Sequence, residues 1–350
     1  MLYPLKFNPV YKDYIWGGRN FEKYGRILPD GIVAESWEVS CHPNGISIVS
    51  NGAYKGVSLP ELVKKLGSML IGRDLAEKNA DRFPLLVKFI DANDDLSVQV
   101  HPDDSYAFVH ENGEYGKNEM WYIISAEPGA RLVFDLVPGT SKSDFVEAVK
   151  NGTLENYLRY VEVYPGDVLS IPAGLVHAIG KGIILAEIQQ NSDATYRLYD
   201  FNRVGKDGKK RPLHIDKAID VINFGTESPK EKTKGIMIKL DSGSSKTYLV
   251  ANKYFSVEHL DISGKFHDVA DGSKFHIFSF IDGEGEIIYK KGSIDVKTLE
   301  SVLIPAEMGE YEIIGRFKAL KAYVPDLERD VITPLEKAGY TRQEILSKLF

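Results

Sequence analysis

Short runs rich in Val, Ile, Tyr and Phe recur along the chain, and glycine or proline closes most of them. The clearest are residues 46–49, 85–89, 96–100, 121–124, 131–134 and 182–188, then 255–260, 276–281 and 286–289. This punctuation predicts a predominantly antiparallel β protein. Helical spacing interrupts it at 59–65 and 75–79, within Lys/Glu-rich surroundings. A helical pair is expected at 143–150 and 154–160 around Gly152, and another helix at 214–223 after Pro212. At the C-terminus, Thr341 with Glu344 three residues on forms a capping box before a last helix. The Lys/Gly/Glu-rich stretch 225–234 reads as a linker. It divides a motif-rich region, 1–224, from a shorter β-rich region, 235–350.

Composition narrows the function classes. With 350 residues and 43% hydrophobic positions, the chain can bury a sizeable core. A net charge of −7 argues against a nucleic-acid binder. It leaves room for a phosphorylated substrate, because a few local Lys and Arg residues can make a basic pocket. Cys41 is the single cysteine, so no intrachain disulfide forms, as expected of a cytoplasmic protein. No apolar run approaches the ~20 residues of a membrane span, and the N-terminus lacks a signal-peptide pattern.

Two segments carry chemistry. On a strand through Val98 and Val100, the side chains of Ser97, Gln99 and His101 share the opposite, polar face. Lys117, Glu119 and Trp121 share a face further on. Gly166, Pro172 and Gly174 then mark turns around a short strand and deliver His177 at the start of the next. Two histidines, a carboxylate and an amide oxygen can chelate a divalent metal and leave a position open. Alone, His101 or His177 reads as an ordinary hydrogen-bonded histidine; their occurrence with Glu119 shifts the reading to metal. The other six histidines lack such surroundings.

The spacing Gly166, Pro172, Gly174, His177 fits the second cupin motif. Together with Gln99-x-His101-Pro102, Lys117-x-Glu119, Trp16-Gly17-Gly18, Glu35-x-Trp37 and the run Tyr196 to Asp200, it resembles the type I mannose-6-phosphate isomerases in their short bacterial form. The matches keep family order up to about residue 225. The resemblance implies a mainly β fold of two cupin (jelly-roll) barrels with inserted and flanking α-helices. It implies one Zn2+ per chain on Gln99, His101, Glu119 and His177, and interconversion of mannose 6-phosphate and fructose 6-phosphate through an enediol(ate). Two departures stand out. Gly116 replaces a histidine that longer members carry, and Ala178 replaces the Asn that can follow the motif histidine.

Arg197 takes the catalytic-arginine position by that resemblance, stabilising developing negative charge; its plain alternative is an ion pair with Asp200. Glu187, behind the apolar run 183–186, is a candidate base or a salt-bridge partner. Lys117 is a candidate for ring opening or proton relay. Lys88 and Ser97 are candidates for substrate contact, with Trp16 and Glu35 from the resembling motifs. In the second half, Pro305, Glu307 and Glu310 echo Pro172, Gly174 and His177 without the histidine, as in a barrel that lost its metal. A hexose phosphate is the expected partner, without nucleic acid or membrane, and a homodimer is left open. The rivals are a non-catalytic, metal-binding sugar-binding cupin and an iron-dependent cupin dioxygenase. Gln99, Lys117 and Arg197 speak against the latter.

Overall fold

A computed structural model describes residues 2–79, 82–205, 208–225 and 232–350; most of the expected linker, 226–231, lies outside the described residues. Three antiparallel sheets build the molecule. The first runs, in spatial order, Val168–Ile171, Glu119–Ala126, Ile183–Gln190, Leu85–Ala92, Glu35–Val39 and Val10–Lys12. The second runs Tyr196–Tyr199, Val98–Val100, His177–Ala178, Arg131–Leu136 and Leu158–Glu162.

These two sheets face each other. Ile90, Trp121, Ile123, Leu169 and Leu185 of the first form one buried cluster with Leu132, Phe134 and Val161 of the second. In Leu85–Ala92 and Ile183–Gln190 every residue is buried, because other parts of the chain cover both faces. Polar residues inside these strands therefore need local partners.

The third sheet has nine strands. Ile236–Lys239, Ser245–Ala251, Ser256–Ala270, Gly309–Tyr323, His276–Tyr289 and Ser301–Ile304 follow one another, and Gly292–Lys297 pairs with His276–Tyr289. Two N-terminal strands, Leu5–Asn8 and Ile48–Val49, extend its far edge. The first fifty residues thus tie the two halves together, and Leu5, Val49, Val87, Leu303 and Leu320 share one core.

Helices form where caps were legible. Leu59–Leu66 starts on a Ser58–Glu61 capping box and buries Leu59, Leu62, Val63 and Leu66. Arg342–Leu349 starts on the expected Thr341–Glu344 box. Two expectations fail. The segment expected as a helix at 154–160 is one 3-10 turn, Leu154–Tyr157, followed by the strand Leu158–Glu162. Pairing with Arg131–Leu136 satisfies backbone groups that a lone turn would leave open. The runs 276–281 and 286–289 are one strand, because Gly283 (φ 78°) lies just past a register shift at Phe280/Asp282 and the chain continues.

Candidate metal centre and substrate cavity

The second sheet delivers the histidines. Gln99 lies opposite His177 on one side and opposite Arg197 on the other. His101 follows directly after the strand Val98–Val100. Glu119 comes from the first sheet, opposite Ile171 and Gln189. His177 arrives by the predicted turns: Gly166 and Gly174 adopt φ of 91° and 85°.

His101, Glu119 and His177 are fully buried, and their ligand-type atoms lie within 4.8 Å of one another. The Nε2 atoms of His101 and His177 are 3.1 Å apart, and Glu119 Oε1 is 3.2 Å from His101 Nε2. Each Nδ1 lies 2.9 Å from a backbone carbonyl, of Ala194 for His101 and of Leu175 for His177. Each ring must therefore donate from Nδ1, which leaves an unprotonated Nε2 turned inward.

Electrostatics agree. Burial, reinforced by Lys117 and opposed by Glu119, pushes the His101 imidazole down to about 3, and burial also lowers His177. Burial would raise Glu119, but Lys117, His101 and His177 overcome it and hold the carboxylate ionised. Apart from the Lys117 ammonium, 3.0 Å from Oε1, no described group donates to either Glu119 oxygen. Two lone pairs and a buried carboxylate converging without a proton repel unless a cation lies between them. The donor set fits a divalent metal. Gln99 stands beside it, its amide nitrogen 3.4 Å from His177 Nε2; a half-turn of the amide exchanges the oxygen into that place.

Above this centre opens a cavity of about 290 Å³. Trp16, Glu35, Lys88, Ser97, Gln99, Lys117, Glu187 and Arg197, all named from sequence, line it. Lys88 sits in a row of three charges, its Nζ 3.2 Å from Glu187 Oε1 and 3.7 Å from Glu35 Oε2. The salt-bridge reading of Glu187 therefore holds as geometry. Trp121 Nε1 donates to Glu187 Oε2 at 3.0 Å. Burial, with Glu119 nearby and Lys88 opposing, raises the Glu187 carboxyl to about 7. Lys117 Nζ lies 3.0 Å from Glu119 Oε1.

Arg197 takes none of the carboxylates. It donates from Nε to Ser97 Oγ at 3.1 Å and from Nη1 to the Pro212 carbonyl at 3.0 Å. Asp200 is held instead by Arg203 at 2.6 Å and Arg211 at 2.5 Å. Four polar lining residues escaped the sequence reading, Tyr14, Asp193, Thr195 and Arg211, beside the apolar Ile90, Leu96 and Ile179. Burial would raise Asp193, but Lys88 and Lys117 hold its carboxyl low. Only the basic run 209–211 signalled Arg211 in advance.

Comparison with known proteins gives this geometry a family. The profile of the phosphomannose isomerase type I catalytic domain matches residues 4–120, and that of the mannose-6-phosphate isomerase cupin domain matches residues 244–324. Mannose-6-phosphate isomerase ManA of Bacillus subtilis is 39% identical over 321 residues, covering 92% of this chain and 99% of that protein. The chain belongs to the type I phosphomannose isomerases. Mannose-6-phosphate isomerase of Streptococcus mutans is 36% identical over 324 residues, with 92% and 99% covered. The crystal structure of the mannose 6-phosphate isomerase from Bacillus subtilis superposes with a TM-score of 0.84 at 35% identity, over 91% of this chain and 99% of that one. The sequence resemblance thus extends over nearly the whole isomerase chain, and the dioxygenase and non-catalytic rivals lose their footing. Among the described residues no helix is long and apolar enough to cross a membrane.

Proposed function

We propose that this chain interconverts D-mannose 6-phosphate and D-fructose 6-phosphate with one Zn2+ per chain, by proton transfer through an enediol(ate). The observation that carries the reading is the pair of inward-facing Nε2 atoms 3.1 Å apart beside the buried, ionised Glu119 carboxylate. His101, Glu119, His177 and, through its amide oxygen, Gln99 would hold the zinc. Bound there, it supplies Lewis-acid polarisation of the sugar oxygens.

The remaining steps belong to side chains. Glu187 takes the proton from the carbon beside the carbonyl and returns it to the neighbouring carbon. A carboxyl raised to about 7 is a competent base near neutrality, and Lys88 beside it favours the ionised form. Arg197, with no carboxylate within 4.0 Å among the described residues, meets the negative charge that develops on the sugar. Lys117, on the cavity wall, relays the proton between the two oxygens. Arg211, on the cavity wall, meets the phosphate; it shares Asp200 with Arg203, which also lies 3.6 Å from Asp94. Lys88, committed to two carboxylates, orients the base rather than the phosphate. Trp16 and Glu35 complete the wall.

The test is conversion of mannose 6-phosphate before chelation, after it and after zinc restoration. Loss and recovery support the reading. A fully zinc-loaded sample without turnover would overturn it.

A further inference from the structure

Six strands of the C-terminal sheet repeat the order of the first sheet. Ser301–Ile304, His276–Tyr289, Gly309–Tyr323, Ser256–Ala270, Ser245–Ala251 and Ile236–Lys239 run in the same sequence as the six strands that carry Glu119 and Glu187. One turn fixes the register between the copies. Ile171, directly before Pro172, pairs with Glu119, and Ile304, directly before Pro305, pairs with His276. The Pro172 carbonyl accepts from Leu175 N at 3.2 Å, and the Pro305 carbonyl accepts from Met308 N at 3.0 Å.

From that anchor the charged row can be followed across the sheet. In the first copy Glu187 lies opposite Lys88, and Lys88 opposite Trp37, two residues after Glu35. In the second, Lys321 lies opposite Glu258, and Glu258 opposite Tyr248, two residues after Lys246. The row Glu35, Lys88, Glu187 thus corresponds to Lys246, Glu258, Lys321, with every charge inverted. The outer ion pair keeps its spacing: Lys88 to Glu35 and Lys246 to Glu258 are both 3.7 Å.

The metal position is changed in step. His276 takes the place of Glu119. Gln99 pairs with His177, whereas Asp268 pairs with Tyr311. Glu310, as far beyond Pro305 as His177 is beyond Pro172, is exposed, and Tyr311 is buried instead. Lys321 Nζ reaches Asp268 Oδ2 at 2.6 Å, and Tyr311 OH donates to the same oxygen at 3.0 Å. His276 Nδ1 lies 2.8 Å from Tyr311 OH. Two carboxylates, Asp268 and Glu258, face two ammonium groups, Lys321 and Lys246, so the cluster is neutral without an added ion. Removing one partner would leave a buried charge uncompensated.

We propose that the C-terminal sheet is a charge-inverted copy of the catalytic one, in which Lys321 supplies the cation that a metal supplies in the first. This region then takes no divalent ion; the Lys321–Asp268 pair ties two of its long strands, and Tyr311 joins that pair to His276 on the third. The comparison rests on the metal reading of His101, Glu119 and His177, so the experiment separates the two.

Zinc bound per full-length chain would be measured by equilibrium dialysis for the parent and for His101→Ala. One ion in the parent and none in the variant is the expected result. Two in the parent and one in the variant would overturn the inference; none in the parent would overturn the metal reading instead. Independently, chelated parent, Lys321→Met, Asp268→Asn and the double variant would be melted. Each single change should lower Tm by more than about 5 °C, and the double by less than the sum. Additive losses, or none, would overturn the inference. If Lys321→Met does not fold, Lys321→Gln, neutral and able to hydrogen-bond, completes the same cycle with Asp268→Asn.

Discussion

Arg197 and Asp200 lie three residues apart and are not partners: Arg197 bonds Ser97 Oγ, while Asp200 is clamped between Arg203 and Arg211. The cavity therefore presents a guanidinium whose charge no protein carboxylate within reach balances. Replacing Arg197 by Ala removes no ion pair from the fold, so the variant should fold, hold its metal and keep its Tm within a few degrees. Its kcat should fall by about 10²–10³, the scale of losing one preorganised donor to a developing anion. Steady-state kinetics beside a metal assay checks this, and parental activity in Arg197→Ala would sink the assigned role.

The two histidines make a different demand. His101→Ala removes one of two inward Nε2 atoms, so metal and turnover should be lost together. Lys117→Met should instead retain metal, because Glu119 stays ionised once a divalent ion replaces the ammonium beside it. Metal content by elemental analysis distinguishes the two variants, and a metal-replete His101→Ala would remove this residue from the ligand set.

Much of the site was legible because its residues come from strands with distinct motifs. The alternation around Val98 and Val100 identified Gln99 and His101, and the glycine and proline turns identified His177. Arg211 and Asp193 were harder to find. Arg211 reaches the cavity from an irregular segment with no periodicity, and Asp193 follows the end of Ile183–Gln190. The strand at Leu158–Glu162 was hidden for a related reason: its partner, Arg131–Leu136, lies over twenty residues away in sequence, and helical spacing is a local signal. The charge-inverted row in the second half is invisible without register, because Lys246, Glu258 and Lys321 share no motif.

Glu187 sets the acid side of the pH profile. A base works in its ionised form, so kcat/KM should fall as pH drops through the Glu187 pKa, about 7 with Lys88 and Glu119 as neighbours. Metal on Glu119 cancels part of that carboxylate's repulsion and draws the limb to lower pH. Lys88→Met removes the opposing cation and should move it to higher pH by roughly one unit or more. Glu187→Gln should abolish turnover at every pH. Profiles of kcat/KM for parent and Lys88→Met decide the matter; superimposable acid limbs would exclude Glu187 as the titrating base.

Gly174 and Gly166 separate backbone strain from site geometry. Both adopt positive φ, so alanine at either position should cost about 1 kcal/mol or more. A Cβ on Gly166 would meet open space, whereas one on Gly174 would lie 2.3 Å from the Asn223 amide nitrogen. Gly174 N also donates to the His101 carbonyl at 2.9 Å, joining the turn that delivers His177 to the other histidine. Gly174→Ala should therefore lose metal affinity by about 10-fold or more as well as stability, the scale of disturbing what orients a ligand. Gly166→Ala should lose stability alone. Competition with a coloured chelator measures the first effect and thermal unfolding the second. Equal metal affinity in the two variants would mean that the turn delivers His177 without the Gly174–His101 link.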